Sequence, residues 1–224
     1  MALVGIISLM VHTHVPFDAD APLPVPTRPA QPMSRRGYGH EVMSASSKDP
    51  TTSRNRNVGV VERRVTVDAS ADDCFVVASS YGVRLEWDPF VRAQHLMNAG
   101  RAAPGVRTWT RSRHGLVMVS EYVTYRRPTL MGMKMVTGPA LFRTFSGSWH
   151  FAATDGDRCE VTFRYRFDCR PTWLQWLTHP VGRWYLGRDI ERRLAAFAHG
   201  VEEADIVARA RAELEDFEGA ADSS

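Results

Sequence analysis

Residues 159–171, CEVTFRYRFDCRP, alternate strictly between apolar and polar side chains. The apolar residues that share one face of such a strand are Val161, Phe163, Tyr165 and Phe167. Those on the opposite face are Thr162, Arg164, Arg166 and Asp168. Period-two alternation is typical of a half-buried antiparallel strand, with its apolar face on a core and its charged face in water. The sequence therefore predicts a one-sided sheet, and we interpret the arginines as solvated surface.

Six runs of strand character follow residue 90, with turn residues between them. The runs are 91–98, 105–113, 116–126, 129–137, 141–153 and 158–169. Their boundaries carry turn-forming pairs such as Pro104-Gly105, His114-Gly115 and Asp155-Gly156. Short connections of this kind predict an antiparallel meander.

Helical segments precede and follow this meander. A first strand in VGVVERRVTVDAS leads to Ser70, a candidate N-cap for a helix over residues 71–82, and LEWDPF then predicts a short turn or helix. Near the C-terminus, apolar residues recur at steps of three and four, which predicts one stripe on a long helix entered through Thr178 and Pro180. The stripe consists of Leu186, Ile190, Leu194, Phe197 and Val201.

This order of elements predicts an α+β fold. A sheet with one apolar face covered by one long helix should curl around that helix, and a pocket remains if side chains do not fill the enclosed volume. Residues 1–57, with six prolines between residues 16 and 32, are predicted to be disordered. Residues 58–202 are predicted to form one domain, and residues 203–224 an acidic helix end and tail that frays in water.

Charge and motifs exclude several classes of function. The net charge is +3, and no run of five basic residues or zinc-finger pattern occurs, so nucleic-acid binding is not predicted. The sequence has no GxGxxG, GxxxxGK[ST], GxSxG or HExxH motif and no Cys/His ligand spacing, so neither a cofactor nor a metal is predicted.

Cysteine positions and hydropathy bear on the cellular compartment. Cys159 and Cys169 lie on one predicted strand about 33 Å apart at ~3.3 Å per residue, too far for a disulfide. With Cys74 they are interpreted as reduced thiols of a cytoplasmic protein. The first apolar run, MALVGIISLMV, is too short for a membrane span, so stable membrane insertion is not predicted.

The element order, together with the stretches EWDPF, EYVTYRRP, MVTGP, SGSWHF and CEVTFRYRFDCRP, resembles the START-like (SRPBCC) superfamily. Within it, residues 58–202 are most similar to the polyketide cyclase/dehydrase and lipid-transport group common in actinobacteria. The resemblance implies a helix-grip fold. This is a curved antiparallel sheet of six to seven strands around a long C-terminal helix, with two short helices after the first strand. The group includes both cyclases and lipid carriers, so the resemblance is less specific for activity.

The resemblance also implies a catalytic set. Aromatase/cyclases of this family carry an aromatic-x-Ser-x-Arg run on a central strand, which Tyr122, Thr124 and Arg126 match in part. Arg126 would stabilise an enolate or alkoxide, and Thr124 and Tyr122 would relay protons. Hydrophobicity alone would bury the valines at 117, 119 and 123 instead, but Glu121 shares their face and its unpaired burial would be costly. The prediction therefore turns Ser120, Tyr122 and Thr124 inward.

Aromatic residues and methionines complete the predicted ligand-binding set: Trp87, Trp109, Met131, Met133, Met135, Trp149, Phe151, Phe163 and Tyr165. Methionine adapts to irregular apolar partners, so the three methionines suit a variable ligand, although an ordinary core stripe explains them equally well.

Two functions from different classes remain open at this stage. The first is binding of a polyketide-like or lipid-like molecule in the pocket, with cyclisation by aldol condensation and dehydration. The alternative is a non-catalytic lipid or isoprenoid carrier. A homodimer is also left open. An interaction module would need an exposed apolar patch, for which TWLQWL, with Trp173 and Trp176, is the candidate, its alternative role being a lid or helix cap.

Overall fold

The computed structural model of the chain describes residues 58–221, with side chains as far as residue 216. The predicted disorder of residues 1–57 lies outside the described residues. Within the described part, the chain forms an antiparallel sheet and a set of helices.

Seven strands make up the sheet in the described residues. They are β1 (Gly59–Val67), β2 (Val91–Met97), β3 (Arg107–Ser112), β4 (Val117–Arg126), β5 (Leu130–Thr137), β6 (Phe142–Thr154) and β7 (Arg158–Cys169). Their order across the sheet is β1-β7-β6-β5-β4-β3-β2, and every neighbouring pair is antiparallel. The predicted meander is confirmed, with strand ends within two residues of those predicted.

The helices are α1 (Ala71–Ser79), α2 (Arg84–Trp87), α3 (Gln175–Glu202) and α4 (Ala204–Ala221), with a 3₁₀ turn at Thr172–Leu174. Ser70 is the N-cap of α1, because its Oγ accepts a hydrogen bond from the Asp73 amide at 3.1 Å. The predicted start of the long helix was wrong. The 3₁₀ turn leads directly into α3 at Gln175, and Pro180 lies inside the helix near its start, where its ring removes one backbone hydrogen bond.

The sheet curves around α3 in the helix-grip arrangement, and the predicted apolar faces form the core. Val161, Phe163, Tyr165 and Phe167 of β7 are buried, as is the whole apolar stripe of α3. Asp168, predicted to be solvated, is also buried. Its carboxylate accepts hydrogen bonds from Arg143 Nε at 2.8 Å and Gln175 Nε2 at 2.6 Å, which explains why the charge is tolerated there.

The acidic C-terminal segment is a packed helix rather than a fraying end. Ile206 and Ala210 of α4 are buried against the core. The Glu213 carboxylate accepts hydrogen bonds from the backbone amides of Tyr81 and Gly82, at 2.6 and 2.9 Å. The acidic composition of this segment therefore gave no indication of its apolar face or of its specific contact with the loop between α1 and α2.

No helix in residues 58–221 has the length and apolar character needed to cross a membrane. The three cysteines are buried and carry free thiols.

Candidate ligand pocket

A pocket of about 140 Å³ lies between the inner face of the sheet and the middle of α3. Much of its wall is apolar, including Val91, Met118, Met131, Met133, Met135, Phe142, Phe145, Trp149 and Leu186. An apolar protein cavity of about 150 Å³ is known to hold benzene. The pocket therefore has room for a ring-sized molecule, or for the ring-sized part of a larger one.

One side of the pocket carries a polar cluster formed by β7 and α3. Asp189 is the one carboxylate among the described residues that line the pocket. Its Oδ2 lies 3.5 Å from the Tyr165 hydroxyl and 3.7 Å from Arg193 Nη1. Arg193 also donates a hydrogen bond to the Tyr165 hydroxyl. Because Asp189 and Arg193 are one helical turn apart on α3, both side chains reach the same part of the wall.

The fully buried carboxylate of Asp88 accepts hydrogen bonds from two arginines that line the pocket and so fixes their positions. Its Oδ2 accepts hydrogen bonds from Arg84 Nε at 3.0 Å and from Arg193 Nη2 at 2.7 Å. Its other oxygen accepts one from the Phe90 amide at 3.0 Å. Arg84 also donates to the carbonyl of Ala78 at 3.1 Å. These contacts fix both guanidinium groups before any ligand arrives.

The environments of the two carboxylates shift their pKa values in opposite directions. Burial is the largest influence on Asp88 and would raise its pKa, but the charges of Arg193 and Arg84 and the hydrogen bonds outweigh burial and lower it. For Asp189, burial is again the largest influence, and the negative charge of Asp88 adds to it, so its pKa is raised despite Arg193. Asp88 is therefore a permanent counter-charge, whereas Asp189 can exchange a proton closer to neutral pH.

Two tyrosine hydroxyls meet at another part of the wall. The Tyr81 and Tyr122 oxygens are 3.0 Å apart, and burial raises the pKa of both phenols. Tyr81 and Ser79 also line a second pocket of about 230 Å³, to which Leu96, Tyr125 and Leu214 contribute. Tyr81 therefore separates two hollow regions.

Several of the predicted site residues meet at the first pocket: Tyr122, Met131, Met133, Met135, Trp149, Phe163 and Tyr165. Ser120 and Tyr122 face inward as the family pattern implies; of the valines on the opposite face, Val117 and Val123 are exposed, whereas Val119 is buried. The Glu121 carboxylate forms an ion pair with Lys134 at 2.8 Å.

The structure does not bring Thr124 and Arg126 to the pocket. A bulge in the register between Tyr122 and Thr124 reverses the alternation of β4. Tyr125 consequently faces inward, with its ring centroid 5.0 Å from that of Phe75. Thr124 and Arg126 therefore lie on the outer face, and Arg126 is exposed.

Three predicted aromatic residues lie away from the pocket wall. Trp109 is on the outer face of β3 and stacks on His95 with centroids 5.1 Å apart, while its neighbours Thr108 and Thr110 line the pocket. Trp87 and Phe151 belong to the packed core, where each contacts Phe197. These three side chains support or flank the pocket without lining it.

Sequence reasoning missed Arg84, Asp88, Asp189 and Arg193. The sequence of α3 did contain an indication. Asp189 and Arg193 are four positions apart, and each directly precedes a residue of the apolar stripe, Ile190 or Leu194. Charged residues beside such a stripe are placed against the core. The partners of Arg193 are Asp88, just after α2, and Tyr165 on β7, and both are distant in sequence, so periodicity could not identify them.

No group of three or more His, Cys, Asp or Glu side chains in the described residues is arranged to hold a metal ion.

The curved sheet, the long helix and the pocket between them define a START-like protein with the helix-grip fold. Residues 59–202 match the family model described as polyketide cyclase / dehydrase and lipid transport, and the chain belongs to that family. Comparison with curated protein sequences gave no match.

Solved structures with the same fold have low sequence identity to this chain. A START superfamily protein from Mycobacterium smegmatis is 14% identical, with a TM-score of 0.56 over 64% of this chain and 97% of that one. The di-domain aromatase/cyclase BexL of the BE-7585A biosynthetic pathway is 19% identical, with a TM-score of 0.53 over 67% and 52% of the two chains. The ZhuI aromatase/cyclase from Streptomyces sp. R1128 is 17% identical, with a TM-score of 0.50 over 69% and 94%.

Proposed function

We propose that this protein binds a small apolar molecule, polyketide-like or lipid-like and bearing at least one oxygen, in the pocket between the sheet and α3. The observation that carries the proposal is the division of the wall into an apolar part and one fixed polar cluster. Apolar walls with a few placed polar groups are typical of small-molecule sites. The methionines of β5 would contact the apolar part of the ligand, and their flexibility suits ligands of irregular shape.

The net charge of the polar cluster favours a ligand that places an oxygen atom near Arg193. The cluster contains two arginines, the ionised Asp88 and Asp189, whose pKa is raised. When Asp189 is protonated, one positive charge remains in excess. A carbonyl, phenolate or carboxylate oxygen of the ligand would be stabilised by this charge, because the site is largely shielded from water.

Binding is tested by titrating the full chain with the fluorescent apolar probe 1-anilinonaphthalene-8-sulfonate. Met133→Trp places a large ring in the pocket and is expected to weaken probe binding at least tenfold. The matched control is Val123→Trp, which adds the same ring to the outer face of the neighbouring strand and is expected to leave binding within twofold. Equal affinity of the two variants would contradict a site in this pocket.

A second candidate function is cyclisation of a carbonyl compound, and the position of Asp189 favours it. The carboxylate would remove a proton from the carbon next to a carbonyl, and the resulting enolate oxygen would face an arginine of the cluster. The enolate carbon would attack a second carbonyl of the same molecule to form a carbon–carbon bond. Asp189 would return its proton to the new alkoxide, and it would then remove a second proton from the same carbon and deliver it to the departing hydroxyl group, so that water is lost and the unsaturated ring forms.

This candidate is tested with 2,6-heptanedione, whose cyclisation and loss of water give a conjugated enone detectable by its ultraviolet absorbance. Asp189→Asn is expected to lower the rate about 100-fold, within the range typical of lost acid–base catalysis. Arg126→Met, on the outer face, is expected to retain the full rate. The reverse result would restore the assignment implied by the family pattern. Binding without turnover by the unaltered chain would leave the carrier function.

A further inference from the structure

Three tryptophans at the start of the C-terminal helical region are turned toward solvent. Trp173 and Trp176 are each 74% exposed, and Trp184 is 61% exposed. We refer to these three residues as the tryptophan face. Tryptophan is usually well buried in folded proteins, and clustered exposed apolar side chains mark interaction surfaces. The pocket does not use these residues.

The segment that carries the tryptophan face is basic. From residue 170 to residue 188 the sequence contains no Asp or Glu, and Arg170, Arg183 and Arg188 are exposed. The Arg188 guanidinium lies 5.8 Å from the centre of the Trp184 ring. Tryptophan combined with arginine on one exposed surface is typical of elements that lie at the interface between water and an anionic bilayer.

The tryptophan face is held firmly and lies beside the pocket. Gln175, in the first turn of α3, donates a hydrogen bond to Asp168 at 2.6 Å and so ties the helix start to β7. Tyr185 and Leu186, which directly follow Trp184, line the pocket. A partner that contacts the tryptophan face would therefore also be close to the pocket.

We propose that the tryptophan face docks this protein on the surface of an anionic lipid bilayer. The indole rings lie at the level of the headgroups, and the flanking arginines contact lipid phosphates. Charge complementarity selects this occupant, because the segment 170–188 carries exposed arginines and no carboxylate and is attracted to anionic lipid. Docking brings the pocket next to a source of apolar molecules, yet it does not depend on what the pocket binds.

The test is co-sedimentation of the full chain with vesicles of phosphatidylglycerol and phosphatidylcholine, alongside vesicles of phosphatidylcholine alone. We expect at least tenfold stronger binding to the anionic vesicles, a loss of this preference at high salt, and a blue shift of tryptophan fluorescence on binding. The double variant Trp176→Ser/Trp184→Ser is expected to bind at least tenfold more weakly. Arg183→Glu/Arg188→Glu is expected to abolish the preference for anionic lipid.

Two control variants alter the same residue types elsewhere. Trp109→Phe changes a tryptophan on the outer face of β3, and Arg111→Glu reverses an exposed charge on the same strand. Both are expected to bind vesicles like the unaltered chain. Absence of vesicle binding, or unchanged binding by the tryptophan double variant, would overturn the proposal.

Size-exclusion chromatography separates docking from self-association. A dimer that the tryptophan double variant dissociates, together with no vesicle binding, would assign the surface to a second copy and overturn membrane docking. Probe titration of the same variants reports on the pocket separately, so failure of docking and failure of ligand binding are distinguishable.

Discussion

The two halves of the sheet's inner face have similar sequence patterns but differ in how they are filled. On β1, β7 and the adjacent half of β6, α3 lies across the sheet and aromatic rings fill the space. Trp149 stacks on Phe163 with centroids 4.0 Å apart and contacts Phe197 at 5.3 Å. On β3, β4 and β5, the inward side chains instead line the pocket. Inward-facing residues therefore become core where their rings meet those of α3 directly and pocket wall where sheet and helix leave space between them, and Trp149 and Phe163 lie at the boundary, with contacts to both.

A buried ion pair, Arg193 with Asp88, lies at the boundary between the two halves. Arg193 projects from α3 between the rings of Phe90 and Phe163, each 5.1 Å from its guanidinium carbon, and pairs with Asp88. A buried ion pair contributes little net stability compared with apolar packing, and breaking one is costly. At this boundary the ion pair therefore adds less stability than apolar packing would, but it provides a fixed polar group at the pocket.

The largest expected effect is in the packed half. Phe197→Ala removes a fully buried ring that contacts Trp87 and Trp149 and is expected to lower the free energy of unfolding by about 3–5 kcal/mol. Urea denaturation measures the loss. A change below about 1 kcal/mol would mean that this half is not tightly packed.

Asp88→Asn is expected to lower the free energy of unfolding by about 3 kcal/mol, because it leaves Arg84 and Arg193 without their buried counter-charge. The pKa of Asp88 is lowered in the folded state, so its stabilising contribution is present above its unfolded pKa of about 3.9 and is lost as pH falls through the folded value. The stability difference between the two proteins should therefore shrink below about pH 4. A constant difference down to pH 2 would contradict this role for the ionised carboxylate.

How far the sequence could predict this structure also differs between the two halves. The packed half depends on local periodicity, so β7 and the stripe of α3 were predicted from the alternation of Val161 to Phe167 and the spacing of Leu186 to Val201. In the pocket half, the bulge between Tyr122 and Thr124 decides which of the later residues of β4 face inward. Tyr122 and Tyr125 are both aromatic, so hydrophobicity does not reveal that β4 changes face between them and leaves Arg126 outside.

The polar cluster was unpredictable for a different reason. Asp88 lies just after α2, and Arg193 lies more than one hundred residues later on α3. Their pairing is a property of the tertiary fold, which local patterns do not encode. The family pattern pointed to an arginine on β4, whereas the pocket arginines come from α2 and α3.

An intermediate effect is expected for Tyr81→Phe. The substitution removes the hydroxyl that lies 3.0 Å from the Tyr122 hydroxyl and leaves that buried group without this partner. The free energy of unfolding should fall by about 1 kcal/mol. The matched change Tyr185→Phe, on a half-exposed side chain, is expected to change stability by less than about 0.5 kcal/mol. Equal losses would show that the paired hydroxyl makes no special contribution.

The smallest effect on stability is expected in the pocket wall. Met133→Leu keeps an apolar side chain of similar size beside an open space and should change the free energy of unfolding by less than about 1 kcal/mol. A loss as large as that of Phe197→Ala would mean that the two halves of the inner face are equally packed.

The proposed function requires that apolar ligands enter the space lined by the methionines of β4 and β5. Nuclear magnetic resonance of the chain carrying ¹³C-methyl methionine tests it directly, with 1-anilinonaphthalene-8-sulfonate as the ligand. We expect the methyl signals of Met118, Met133 and Met135 to shift on titration, whereas that of Met97, which does not line the pocket, stays in place. Saturable binding that leaves the three pocket methionines unchanged would contradict the claim.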